Sequence, residues 1–271
     1  MQAAAIRLIL AALVCGSLGS LAGVARAEEK AATAPADEVD DDAVALLNRF
    51  GDFLKAQPRF GFSVEFGYEV VQSDGQKLEF GASRVYTIRR PDHLRIDEER
   101  RVGGKRELFF DGDQITVFSP ADDAYALAKL KQHRDLDAML DLVRDALDIP
   151  VPLGDLVRQD PTHRIEEGMT SAYIVGSEKL YGVECDHVAW RTDEVEAELW
   201  LTKGDQPLPR RVVIDYRDLE GRPSFWAQFT SWSLAPDAAD SVFTFTPPAS
   251  AERVRFSVRG RDAEPTEEQE P

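Results

Sequence analysis

The segment YGVECDHVAW, residues 181–190, sets Cys185, Asp186 and His187 side by side. These residue types ligate metals and break bonds: a thiolate is a nucleophile, an imidazole a base or a ligand, a carboxylate either or the orienter of both. Such chemistry requires the three groups to converge. The segment reads as a strand, and in a strand Cys185 and His187 face one way while Asp186 faces the other. Two side chains fall short of the three or four protein ligands that zinc takes. His93, His133 and His163 are isolated, and neither C-x-x-C nor H-E-x-x-H occurs. The favoured reading is structural, with Cys185 packed as a small hydrophobe and Asp186 and His187 hydrogen-bonded within or beside the sheet. A thiol nucleophile or metal site on Cys185 and His187 is the alternative.

Other reactive patterns lead to the same place. There is no G-x-S-x-G elbow. Asp111 and Asp113 sit in DGDQITVFSPAD, which lacks the form of an EF-hand loop and reads as a hairpin turn. Glu98 and Glu99 are adjacent, so on a strand they point to opposite faces, unlike a working acid–base pair. GASRV and GGKRE lack the strand–loop–helix context of a phosphate cradle. The chain is therefore expected to be no enzyme, with no catalytic residue, metal or cofactor assigned.

The aromatic residues are more informative. In RFGFSVEFGYEVV, Phe60, Phe62, Val64, Phe66, Tyr68 and Val70 alternate with small or polar residues, the pattern of a half-buried strand. The next strand, KLEFGASRVYTIRR, places Leu78, Phe80, Ala82, Tyr86 and Ile88 on one face. Phe60, Phe62, Phe66, Tyr68, Phe80 and Tyr86 are candidates to line a pocket for a lipid or acyl chain, joined by Trp200 and Trp226 from later strands. The competing reading is that they fill a core. Arg84 is in phase with the apolar side chains of its strand, and a buried arginine is costly unless paired. It meets a ligand headgroup, is held by a buried carboxylate, or stands at a solvated rim where a bulge shifts the phase.

These strands belong to a longer series. A helix is expected in DDAVALLNRFGDFLKAQP, capped by an aspartate and ended by Pro58, with Val44, Leu47, Phe50 and Leu54 on one face and Leu46 and Phe53 widening it. Short strands follow in HLRIDEE, RELFFDG, QITVFSP and AYALAKL, and then a helical insertion on Leu136, Met139, Leu140, Val143 and Leu147, with one more turn in GDLVRQDP. SAYIVGSEKL, GVECDHVAWRT, VEAELWLTK, PRRVVIDYRD and SFWAQFTSWSL resume the strands. The sum is an α+β chain: a long antiparallel meander with helices on one side, able to leave a cavity between the two.

The first 27 residues set the compartment. Arg7, an apolar run from Leu8 to Val14 and Ala25-Arg26-Ala27 form a secretory signal with cleavage expected after Ala27. The run is too short to span a membrane. Cys15 offers a second reading as a lipoprotein cysteine, against which Val14 puts a bulky residue where a small one is wanted. Residues 28–41 read as a disordered linker, 42–258 as one domain and 259–271 as a disordered acidic tail. Past the signal Cys185 is the lone cysteine, so stability must come from the core rather than an internal disulfide. A net charge of −17 argues against nucleic acid and against an anionic membrane surface.

Several motifs in order carry a family resemblance: FGASRVYTIRRPDHLRID, LFFDG, LYGVECDHVAW, ELWLTKGDQPLPRRVVIDY and FTFTPP. On these the chain resembles the DUF2092 group of predicted periplasmic proteins over about residues 43–254, and more distantly the LolA and LolB lipoprotein carriers. The resemblance implies an incomplete antiparallel β-barrel, LolA-like, with helices over its open face and an apolar cavity between. It brings no activity and no functional residue. The function expected is a periplasmic, non-enzymatic carrier or binding protein for a hydrophobic ligand, such as a lipid or the acyl chain of a lipidated protein. The alternative is an interaction or envelope-sensing module for a protein partner, the role of some relatives in that superfamily.

Overall fold

The computed structural model describes residues 38–256, apart from residues 132, 148, 150, 163, 164, 166 and 167. The signal segment, most of the expected linker, the acidic tail and His163 lie outside the described residues. What is described is one twelve-stranded sheet, not closed into a barrel, with three helices and a 3₁₀ turn. This is the open, helix-covered sheet that the alternation of the sequence and the family resemblance imply.

The chain opens with α1 (Asp41–Lys55). Asp40 caps it, its side chain accepting from the Asp42 amide at 2.9 Å, and Asp41, Asp42 and Lys55 suit the helix dipole. Its buried stripe is Ala43, Leu46, Leu47, Phe50 and Leu54, so the face is turned from Val44 and Phe53 toward Ala43. Residues 38–40, inside the segment expected to be linker, already pair with the sheet through a bridge from Val39 to Ala172.

Six strands follow: β1 (Arg59–Val71), β2 (Lys77–Arg89), β3 (His93–Arg100), β4 (Lys105–Phe110), β5 (Gln114–Ser119) and β6 (Ala124–Lys129). Then come α2 (Leu136–Asp145) and the 3₁₀ turn Gly154–Val157. A second series is β7 (Ser171–Leu180), β8 (Val183–Arg191), β9 (Val195–Thr202), β10 (Pro209–Tyr216) and β11 (Ser224–Ser233), followed by α3 (Asp240–Phe243) and β12 (Glu252–Val254). The order across the sheet is β12-β6-β5-β4-β3-β2-β1-β11-β10-β9-β8-β7. The structure is thus two meanders rather than one, joined where β1 pairs with β11, and β12 runs parallel to β6.

One face of the sheet is apolar and carries α1 and α2. Phe60, Phe62, Val64, Phe66, Ala82, Tyr86, Ile88, Leu94 and Ile96 are buried there with Leu47 and Phe50 of α1 and Met139 and Val143 of α2. The other face is polar in its middle. Toward β4–β6 it carries a smaller aromatic group in which Phe245 meets Phe109, Phe118 and Tyr125 at 5.2–5.4 Å between ring centres.

Candidate ligand-binding site

The inner face is filled at one end and hollow at the other. At the filled end Phe62 stacks on Tyr86 at 4.4 Å and meets Trp232 at 4.9 Å and Phe229 at 5.5 Å, and Phe60 stacks on Trp232 at 6.4 Å. Phe60, Phe62 and Tyr86 are at most 2% exposed, so they build the floor of the core. Further along the same strands the side chains stand apart and enclose a cavity of about 710 Å³. This lies within the size range of small-molecule sites. Phe66, Tyr68, Phe80, Ala82 and Arg84 form one wall, and Trp190, Leu199, Val212, Ile214 and Phe225 of β8–β11 the other. Leu140 and Val143 of α2 and residues 151–156 roof it. Tyr68 and Phe80 face each other across β1 and β2 with rings 6.1 Å apart, at the mouth, where both are about two-fifths exposed.

Four of the expected lining residues, Phe66, Tyr68, Phe80 and Arg84, therefore border the cavity. Trp200 and Trp226 lie on the opposite face, one position out of phase with the lining residues Leu199 and Phe225. Each sits in a run of apolar neighbours, ELWL and SFWA, where alternation does not show which member turns inward. Each has an outside partner instead. Trp226 lies over Gly67, where a Cβ would come within 2.6 Å of its Nε1. It donates to Glu79 at 3.1 Å, with the Arg101 guanidinium 5.2 Å from its ring. Trp200 stacks on His187 at 4.1 Å and donates to Glu178 at 2.7 Å.

Trp200 leads to the Cys-Asp-His segment. His187 lies between Glu178, 2.9 Å from Nδ1, and Glu198, 2.8 Å from Nε2. The hydrogen bond from His187 holds the Glu198 carboxyl below its ordinary pKa. Asp186 pairs with Ser177 and Lys203 on its own side. Cys185 is fully buried, and burial pushes its thiol pKa up, away from the thiolate a nucleophile needs. The three side chains do not converge, and no cluster of metal-binding groups occurs among the described residues.

Arg84 is the charged centre of the cavity wall. It is 6% exposed and pairs with Glu98, directly opposite on β3, itself 8% exposed. Arg84 Nε donates to Glu98 Oε2 at 2.7 Å and Nη2 donates to the same oxygen. Nη1 donates to the Tyr86 hydroxyl at 3.2 Å, and that hydroxyl donates to the Pro152 carbonyl at 2.6 Å. Of the three readings of Arg84, the buried carboxylate holds. Burial alone would raise the Glu98 pKa, but the Arg84 charge and the hydrogen bonds from Arg100 and Arg84 outweigh it and hold it low. Burial likewise raises the Tyr86 pKa, keeping the phenol protonated. Glu98 was legible only in part: it is in phase with Leu94 and Ile96, but its partner lies 14 residues away.

An open sheet with an apolar, partly charged hollow under its helices defines a cavity-bearing half-barrel. The chain matches the family described as "Predicted periplasmic protein (DUF2092)" over residues 43–257, and it belongs to that family. No curated protein matches it. Among solved structures it is similar to the lipoprotein LppX of Mycobacterium tuberculosis, with 15% identity and a TM-score of 0.44 over 73% of this chain and 98% of that one. It is also similar to a LolA superfamily protein of Nitrosomonas europaea, with 12% identity and a TM-score of 0.38 over 75% and 97%. A third is the MucA/MucB complex of Pseudomonas aeruginosa, with 18% identity and a TM-score of 0.40 over 75% of this chain and 61% of that one.

Proposed function

We propose that this is an exported, non-enzymatic carrier or binding protein for a hydrophobic ligand, a lipid or the acyl chain of a lipidated protein, released into the periplasm by cleavage after Ala27. The observation that carries the reading is the cavity of about 710 Å³ lined mainly by apolar side chains. Phe66, Tyr68 and Phe80 are the contacts for the chain, and Arg84 fixes the polar end of the wall. Burying each methylene contributes about 0.8 kcal/mol, so a long acyl chain needs no covalent help to stay. Nothing among the described residues is a helix long and apolar enough to cross a membrane. An interaction module without a small ligand calls for a core packed solid behind an exposed patch, and an open hollow speaks for the carrier.

The test is denaturing extraction of the purified protein followed by lipid mass spectrometry, with titration of a fluorescent fatty acid on the delipidated chain. Co-purifying lipid or saturable binding is expected. An empty extract together with a flat titration overturns the proposal.

A further inference from the structure

The wall that holds Arg84 carries three guanidinium groups, those of Arg84, Arg100 and Arg106. Arg84, Glu98 and Arg106 stand directly opposite one another across β2, β3 and β4, on the cavity face. Both oxygens of Glu98 are in use. Oε2 accepts from Arg84, and Oε1 accepts from Arg100 Nε at 3.0 Å. Arg106 is left over: it is half-buried, it lines the cavity, and its guanidinium makes no hydrogen bond or ion pair with any described residue. Among the described residues, the three guanidinium groups on this wall thus share the Glu98 carboxylate, with Asp122 acting on Arg106 through its charge alone, in a chain whose net charge is −17. A planar fork of N–H donors with no partner matches a carboxylate or a phosphate oxygen pair.

We propose that the cavity selects an anionic amphiphile, its acid group held by Arg106 beside Arg100 and its apolar chain lying against Phe66, Leu199 and Phe225. This deepens the carrier reading and rests on it, since it names the class of hydrophobic ligand. The register explains why the acid group belongs at this end. Past Arg84 toward the filled end the wall is closed by the aromatic floor, and past Phe80 it opens to solvent. A headgroup entering at Arg106 therefore sits at the edge of the hollow while its chain reaches inward under α2. Burial and the charge of Arg100 pull the Arg106 pKa down further than the charges of Glu98 and Asp122 raise it. An arginine still stays protonated at neutral pH.

A matched pair of probes tests it: 11-(dansylamino)undecanoic acid and its methyl ester, which differ only in the charged end. The acid should bind the parent protein roughly tenfold or more tightly than the ester, the size of one charge-assisted hydrogen bond. In Arg106→Gln that ratio should fall to near one, and in Arg106→Lys a good part of it should return. Dodecanoate or dodecyl phosphate should displace the acid probe, and whichever does so at lower concentration names the acid group. Equal affinity for acid and ester, or an unchanged ratio in Arg106→Gln, overturns the proposal while leaving the carrier reading standing. Displacement by inorganic phosphate alone also overturns it, because the site then takes a free anion. If neither probe binds, the carrier reading falls with it.

Discussion

Arg84 and Glu98 form a charge pair taken almost wholly out of water, and such pairs reveal themselves by how they fail. Arg84→Leu strands the Glu98 carboxylate with only Arg100 in direct contact, and breaking a buried pair from one side costs about 3–5 kcal/mol. Replacing both residues by leucine should recover most of that loss or exceed it, because a well-packed apolar pair often equals a buried ion pair. Denaturant unfolding of the parent, the two single variants and the double variant measures this. A single variant as stable as the parent would show that the pair is solvated through the cavity. The sign of the pH effect follows from Glu98, whose folded pKa is depressed. Its contribution is fully present above the ordinary glutamate pKa of about 4.3 and is lost as pH falls through the lower folded value. Acid should therefore destabilise the parent more steeply than the double variant. From sequence the inward phase of Arg84 was legible, because Phe80, Ala82 and Tyr86 share it. Its partner was not, because the phase that puts Glu98 on one face and Glu99 on the other does not say which residue stands opposite until the β2–β3 register is known.

The roof of the cavity is tied down by hydrogen bonds rather than by strand pairing. Tyr86 reaches from β2 to the Pro152 carbonyl, Arg90 donates to the Val157 carbonyl at 3.0 Å, and Arg158 joins the 3₁₀ turn to Asp141 of α2 at 2.8 Å. Tyr86→Phe removes the first tie and takes the acceptor from Arg84 Nη1, at a cost of about 1–3 kcal/mol. Hydrogen–deuterium exchange should then quicken in α2 and the 3₁₀ turn and stay as it was in β8–β11. Faster exchange spread evenly over the sheet would mean that Tyr86 supports the core and not the roof. At this scale the strands and helices were legible because period two and period 3.6 are local signals. The β1–β11 pairing was not, since it joins residues about 160 positions apart, and no local pattern records which edges meet. The phases of Trp200 and Trp226 were hidden for a different reason: where three apolar residues run together, alternation carries no information.

Across the whole molecule, besides residues 38–40 and α1, which meet β7, the two meanders are held together by the β1–β11 ladder in the sheet and, second, by the chain after β11. That second tie explains the family motifs RRPD and FTFTPP, which have no chemistry of their own. Arg89 donates to the Ala238 carbonyl at 2.7 Å and pairs with Asp240 at the same distance. Phe243 is fully buried against His93, and Phe245 fills the aromatic group over β4–β6 before β12 joins the β6 edge. This strap lies on the outer face, opposite the cavity. Phe245→Ala should therefore lower stability without touching the ligand. Phe245 is only half-buried, so the loss is about 1–3 kcal/mol, below that of a fully buried phenylalanine. Because the strap spans the first meander and leads out of β11 of the second, the variant should melt in one cooperative step at a lower temperature. Titration of a fluorescent fatty acid well below the melt should give the parent's affinity. A weakened affinity with an unchanged melt would mean that the outer strap and the inner cavity communicate through the sheet, and that the two faces cannot be treated as independent.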